Sequence, residues 1–163
     1  MPSLVGSEMC IRDSSAANLQ SNIAYVPQTA QLFQQTIREN LTFGRQDISD
    51  ESIWNLAEAC GMKERLLACE QGLDTVIKSP ADFSAGEGQR LELMRALLKN
   101  ASCYIFDEPT SNLDSLNEAI LIDLIKTHCQ GLVFLISHRP STLACADQLF
   151  YVRNGSLKEV KEI

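Results

Sequence analysis

Three short apolar runs in this sequence each lead into residues that can do chemistry. Ile23-Ala24-Tyr25-Val26 passes through Pro27 to Gln28. Cys103-Tyr104-Ile105-Phe106 ends in Asp107-Glu108, and Leu132-Val133-Phe134-Leu135-Ile136 ends in Ser137-His138. Continuous β-prone runs of this kind predict buried strands of a parallel sheet. In an open parallel sheet, ligands bind beyond the carboxyl ends of the strands. An amide, an acid pair and an imidazole along that edge suit a metal-nucleotide site with an activated water. Successive side chains on a strand point to opposite faces, so the adjacent carboxylates can divide the labour. One can hold Mg²⁺ through water, because magnesium usually keeps several waters. The other can polarise a nucleophilic water.

A second constellation is Ser84-Ala85-Gly86-Glu87-Gly88 at the entry to an apolar helical pattern. Small residues there let backbone N–H groups approach an anion, assisted by the helix dipole.

The elements that must position these residues follow from periodicity and punctuation. A helical turn or two is expected from Gln34 to Asn40, stopped by Gly44. Ser49 starts a helix with Ile53, Leu56, Ala57 and Cys60 on one face, ended by Gly61. Met62 to Cys69 makes a short helix, and Leu73 to Asp82 reads as loop. Ser84 opens a long helix carrying Leu91, Leu93, Met94, Ala96, Leu97 and Leu98. Ser115 to His128 and Pro140 to Cys145 are helical, and Leu149 to Val152 is a strand before the hairpin signal Asn154-Gly155. Helices therefore come first, and a β-α-β-α-β alternation follows. Lys158 to Ile163 reads as a solvated tail.

The 163 residues are 45% hydrophobic and 21% charged, the balance of a soluble globular domain. A formal net charge of −7 repels phosphate backbones, so nucleic acid is not an expected partner. The longest apolar runs are far shorter than the about 20 residues of a membrane span, so no transmembrane helix is expected. The six cysteines form no C-x-x-C pair and only two histidines are present, which disfavours a zinc site. They read as small buried hydrophobes in a reducing compartment.

Taken together, the motifs resemble the nucleotide-binding domain of ABC transporters, from about Ser15 to about Val160. Phe83 to Arg90, F-S-A-G-E-G-Q-R, is similar to the family signature. Cys103 to Thr110, C-Y-I-F-D-E-P-T, resembles the Walker B strand. Tyr25 to Gln28 resembles the Q-loop, Ser111 to Asp114 the D-loop, and Ile136 to Arg139 the switch-histidine segment. Thr36 to Leu41, T-I-R-E-N-L, is most like the exporter branch, in which the domain is fused behind a membrane domain.

The resemblance implies an α/β fold, the C-terminal part of a P-loop NTPase (ABC ATPase) fold. Its parallel sheet is flanked by helices, with a helical signature subdomain over about 34–100 and an α/β part over about 101–160. It implies ATP and Mg²⁺ as cofactors and ATP hydrolysis that powers transmembrane transport. Asp107 would hold Mg²⁺, and Gln28 would contact metal and water. Glu108 would orient or polarise the water, and His138 would contact the γ-phosphate. Ser84, Gly86 and Glu87 would bind ATP held by a second such domain, and Asp114 would communicate across that dimer. A transmembrane domain, expected in the same full-length chain, would place this domain at the cytoplasmic face of the plasma or inner membrane. Soluble non-transport ABC ATPases and a catalytically incomplete dimerisation partner are the alternatives. T-I-R-E-N-L argues against the first, and the presence of Glu108 and His138 argues against the second.

The pattern also departs from the family's. Ala85 stands where the signature has its first glycine, and Glu87 where it has glutamine. No G-x-x-x-x-G-K-[ST] phosphate cradle occurs in the sequence. Residues 1–13 resemble an in-frame translation of a sequencing adapter, with 14–163 as the partial ATPase domain. The expectation is a chain truncated at its start, inactive alone and poorly soluble, with an exposed sheet edge and an exposed apolar face.

Overall fold

The computed structural model describes residues 20–111 and 113–160. The adapter-like segment 1–13 and Asn112 of the D-loop-like stretch lie outside the described residues. Strand β1 is Ile23–Val26, β2 is Cys103–Asp107 and β3 is Leu132–Ile136. They form one parallel sheet in the order β1-β2-β3, with Ile23 opposite Cys103 and Cys103 opposite Leu132. Parallel pairing brings the carboxyl ends of all three strands to a single edge, as the apolar runs predict.

Between β1 and β2 lies a helical layer. Helix α1 spans Ile37–Thr42, α2 Asp50–Ala59, α3 Lys63–Leu67 and α4 Ala85–Leu98. Thr36 and Ser84 each close a capping box with a glutamate three residues on, and Ser49 caps α2. The predicted loop from Leu73 to Asp82 contains two short 3₁₀ turns, Gly72–Asp74 and Pro80–Asp82. Thr36 and Val76 form an antiparallel bridge that pins this stretch to the start of α1.

The core sits where α4 meets the other helices and the sheet. Leu91, Leu93 and Met94 of α4 are buried together with Ile37, Ile53, Leu66, Tyr104 and Phe106. Trp54 packs partly buried against this cluster. Cys60 is buried, and burial pushes its thiol up to about 12, so it behaves as a small hydrophobe. Cys69, Cys103, Cys129 and Cys145 are half-buried.

After β2 the chain makes α5, Ser115–His128, and α6, Pro140–Leu143. Three expectations change here. The β-α-β-α-β alternation does not continue the parallel sheet, because β4, Leu149–Arg153, pairs antiparallel with β5, Ser156–Val160, in a separate hairpin. The Asn154-Gly155 turn sits at positive φ in both residues, which brings the chain straight back. The stretch from Lys158 to Val160, read as tail, therefore belongs to β5. Strand β3 is not buried as its own residues predict, and shows instead the exposed edge and apolar face expected of a truncated chain. Leu132, Phe134 and Ile136 are 59%, 51% and 51% exposed: β3 is an edge of the sheet, and these side chains line an open cleft shared with the β4–β5 hairpin.

Candidate catalytic edge and signature helix

Strand β1 delivers Gln28 two residues past its end, with Pro27 closing the strand. Strand β2 delivers Asp107 as its last residue and Glu108 just beyond it. Glu108 has φ of +48°, a left-handed conformation unusual for a residue with a side chain. Its backbone is fixed on both sides: its N–H donates to the Ile136 carbonyl at 2.8 Å, and its carbonyl accepts from Ser111 N–H at 3.1 Å. Such strain costs about 1–3 kcal/mol and persists where neighbours over-determine the turn. The turn aims the Glu108 carboxylate along the sheet edge.

Three predicted residues meet there. The Gln28 side-chain N–H donates to Glu108 Oε2 at 3.3 Å, and His138 Nδ1 lies 3.0 Å from Glu108 Oε1. Glu108 is about one quarter exposed and His138 about three quarters, so the cluster faces solvent. Asp107 takes a different partner, as alternation requires. Its Oδ2 accepts from the Tyr25 hydroxyl at 3.1 Å. That hydrogen bond raises the Tyr25 phenol above its usual range, with burial and the carboxylate's charge adding to it. Sequence reasoning missed Tyr25. The signal was its register, since Tyr25 lies in the β1 strand that pairs with β2.

The donor set of Gln28, Asp107 and Glu108 is carboxylate and amide oxygen, the chemistry a hard cation such as Mg²⁺ prefers. Among the described residues no cluster of three or more histidine, cysteine or acidic side chains forms a ready-made cage. Magnesium commonly binds through one or two carboxylates, waters and substrate phosphates, so the open set fits it.

The signature-like residues lie apart, at the start of α4. Ser84 Oγ accepts from Glu87 N–H at 3.3 Å, and the Ser84 N–H donates to Glu87 Oε2 at 2.7 Å. Arg65 of α3 adds an ion pair to Glu87 Oε1 at 3.2 Å and stacks over Phe83 at 4.7 Å. Partial burial works to raise the Glu87 carboxyl. The Ser84 hydrogen bonds and Arg65 outweigh it and hold the group below its usual range. Where the family has a neutral amide, this chain therefore places a carboxylate that Arg65 neutralises. A Cβ on Gly86 would meet only Leu113 at 3.9 Å, an ordinary contact. The fold of this chain thus does not demand glycine at 86.

Asp114 caps α5, accepting from Asn117 N–H at 2.9 Å and from its side-chain amide at 2.8 Å. Arg139, next to His138, was also missed by sequence reasoning. It donates to the carbonyls of Thr110 at 2.5 Å and Leu113 at 3.0 Å and pairs with Glu118 at 3.2 Å. It thereby binds the D-loop-like turn to the segment that carries His138. No helix among the described residues is long and apolar enough to cross a membrane.

The sequence pattern of the ABC transporter family matches residues 5–111. The chain is 38% identical over 154 residues to an ATP-dependent lipid A-core flippase of Chromobacterium violaceum, covering 91% of this chain and 26% of that protein. It is 37% identical over 153 residues to the mitochondrial iron-sulfur clusters transporter ATM1 of Saccharomyces cerevisiae, covering 91% of this chain and 22% of that one. A solved bacterial Atm1-family ABC exporter with ATP bound superimposes with a TM-score of 0.76 at 29% identity, over 85% of this chain and 25% of that chain. The chain spans about a quarter of the length of the curated relatives it matches.

Proposed function

The chain belongs to the ABC transporter family, and from that premise we propose that it is part of an ATP-binding domain whose hydrolysis of ATP drives an exporter. The observation that carries this reading is the hydrogen-bonded cluster of Gln28, Glu108 and His138 at one edge of a parallel sheet. Glu108 accepts a proton from the attacking water, or polarises it. His138 Nδ1 faces Glu108, which orients the ring so that its other nitrogen can reach a phosphate oxygen. The Gln28 amide fixes the second carboxylate oxygen and so the direction of the first. Asp107 and Gln28 would hold Mg²⁺, which when bound neutralises phosphate charge.

Ser84, Gly86 and Glu87 present the open start of α4 to ATP held by a second ATPase domain, identical or not. Helix N-termini favour anions in this way. Asp114 lies at the same dimer face. A transmembrane domain in the full-length protein completes the transporter and holds this domain at the cytoplasmic face of the membrane. The chain carries no phosphate cradle of the G-x-x-x-x-G-K-[ST] kind. The 163 residues alone are therefore expected to bind ATP weakly and not to turn it over.

The test is ATP hydrolysis by the full-length protein in membranes, with Glu108→Gln as control. Loss of a general base costs roughly 10²–10⁴-fold in rate. Equal turnover by the two proteins overturns the assignment.

A further inference from the structure

Helix α4 carries a buried polar stripe that the catalytic account does not use. Gln89, Glu92 and Arg95 recur every three residues and so share one helix face. Their exposures are 3%, 3% and 9%, unusual for such residue types. All three spend their hydrogen bonds on the four-residue segment Gln28-Thr29-Ala30-Gln31 or its supports. Gln89 donates to the Gln28 carbonyl at 3.2 Å. Glu92 accepts from the Gln31 N–H at 2.7 Å, and Arg95 donates twice to the Gln31 carbonyl at 3.2 Å. Arg95 also pairs with Glu92 at 2.7 Å and donates to the Asn40 carbonyl at 2.5 Å. Asn40, itself buried, exchanges hydrogen bonds with both backbone groups of Phe33. Gly88 lets this strap lie flat, since a Cβ there would come within 3.1 Å of Ala30 Cβ.

Both ends of the strap are thus fastened to the helix that begins with Ser84, and the Gln28 side chain at its head reaches Glu108. We propose that Gln89, Glu92 and Arg95 are positioning residues that hold Gln28 against Glu108 and tie the hydrolytic edge mechanically to the signature helix. This inference rests on the hydrolytic reading above. Burying an ion pair is a costly way to gain stability, whereas a backbone segment held at both its N–H and its carbonyl has one register. A second ATP site engaged at the start of α4 would then bear on Gln28 through a single rigid element.

The experiment uses the full-length protein in membranes, with wild type and Glu108→Gln alongside. Gln89→Leu is the principal variant. It removes the tie to Gln28, and the lost Gln89 Oε1 has no hydrogen-bond partner among the described residues, so folding should survive. We expect kcat to fall at least fivefold with the KM for ATP changed less than twofold. Glu92→Ala should do the same, and Glu92→Gln, which keeps an acceptor for Gln31, should recover most of the rate. A strap of purely structural importance would lower the yield of folded protein without this kcat-only loss or its rescue. Hydrogen exchange of the Gln31 amide supplies a readout independent of turnover. It should be at least a hundredfold slower than in the unfolded chain and should accelerate in Glu92→Ala. Wild-type kcat in Gln89→Leu, or fast exchange at Gln31 in the wild type, overturns the proposal. If the wild type is no faster than Glu108→Gln, the hydrolytic reading fails instead, and the strap is judged by exchange alone.

Discussion

The two flanks of β2 are built from similar residues and end in opposite states. On the α4 side, branched and aromatic side chains are buried, and even the polar stripe of that helix is sealed. On the outer side, Leu132, Phe134 and Ile136 of β3 stay half exposed, as do Phe150 and Tyr151 of β4, while Val152 is 72% exposed. A cleft of about 1270 Å³ lies between β3 and that hairpin, lined by Phe134, Leu135, Leu143 and Leu149 among others. Composition does not separate the two flanks. What separates them is whether a neighbouring element is present to remove the apolar surface from water. The proposed catalytic cluster straddles this border. Gln28 is tied to the sealed side through its carbonyl, which accepts from Gln89 of α4, whereas Glu108 is held by the Ile136 carbonyl of β3 and His138 follows β3 itself.

The largest effect expected from this contrast is in stability. Phe106→Ala empties a fully buried site and should cost roughly 3–5 kcal/mol. Phe134→Ala, on the open face, should cost under about 1 kcal/mol. Phe134→Ser should also reduce self-association, because an exposed apolar strand edge templates aggregation. Urea midpoints and light scattering of the same preparations measure both. Equal losses at Phe106 and Phe134 would mean that the β3 face is covered in solution, and the contrast would collapse.

Next in size is the border itself. Glu118 of α5 is buried and accepts from Ser141 and Thr142 while pairing with Arg139. The Ser141 hydrogen bond holds its carboxyl below the usual range, against the pull of burial and helped by Thr142 and Arg139. A carboxyl depressed in the folded state stabilises fully above its unfolded value, near 4.5. That stabilisation disappears as pH falls through the lower, folded value. Glu118→Gln should therefore cost about 2 kcal/mol at pH 7 and progressively less in acid. Thermal melts between pH 3 and 7 give the slope. A parallel loss at every pH would show that Glu118 acts by packing alone.

Much of this arrangement was legible in the sequence. The three strand runs and the polar residues after them are strong local signals, and parallel pairing then makes their meeting at one edge unavoidable. Gln28, Asp107, Glu108 and His138 came from that logic and Ser84 from the small-residue helix entry, whereas Asp114 came from the family resemblance alone, and its capping of α5 is seen only in the structure. The exposure of β3 was not legible in its residues, because Leu-Val-Phe-Leu-Ile reads the same whether or not a neighbour covers it. The separate hairpin was half legible: Asn154-Gly155 announced the turn but not that β4 would leave the parallel sheet. The strap was hidden for another reason. Glu92 and Arg95 look like solvated helix charges, and it is Gln31 and Asn40, both far earlier in the chain, that make their burial tolerable.

The smallest expected effect sharpens the contrast within one helix. Gly86 and Gly88 occupy the first turns of α4, two residues apart. A methyl group at 86 would find ordinary contact with Leu113, whereas one at 88 would press on Ala30. Alanine is the better helix former by about 1 kcal/mol in a helix interior, and by less near an N-terminus. Gly86→Ala should therefore raise stability by a few tenths of a kcal/mol. Gly88→Ala should lower it by about 1 kcal/mol, because a packed backbone segment must shift. Stability alone would favour alanine at 86, as this chain already has at 85. If Gly86 serves an approaching phosphate, Gly86→Ala should be more stable and yet slower in ATP hydrolysis by the full-length protein. A variant both more stable and fully active would remove residue 86 from the nucleotide-facing set and leave Ser84 and Glu87 to define it.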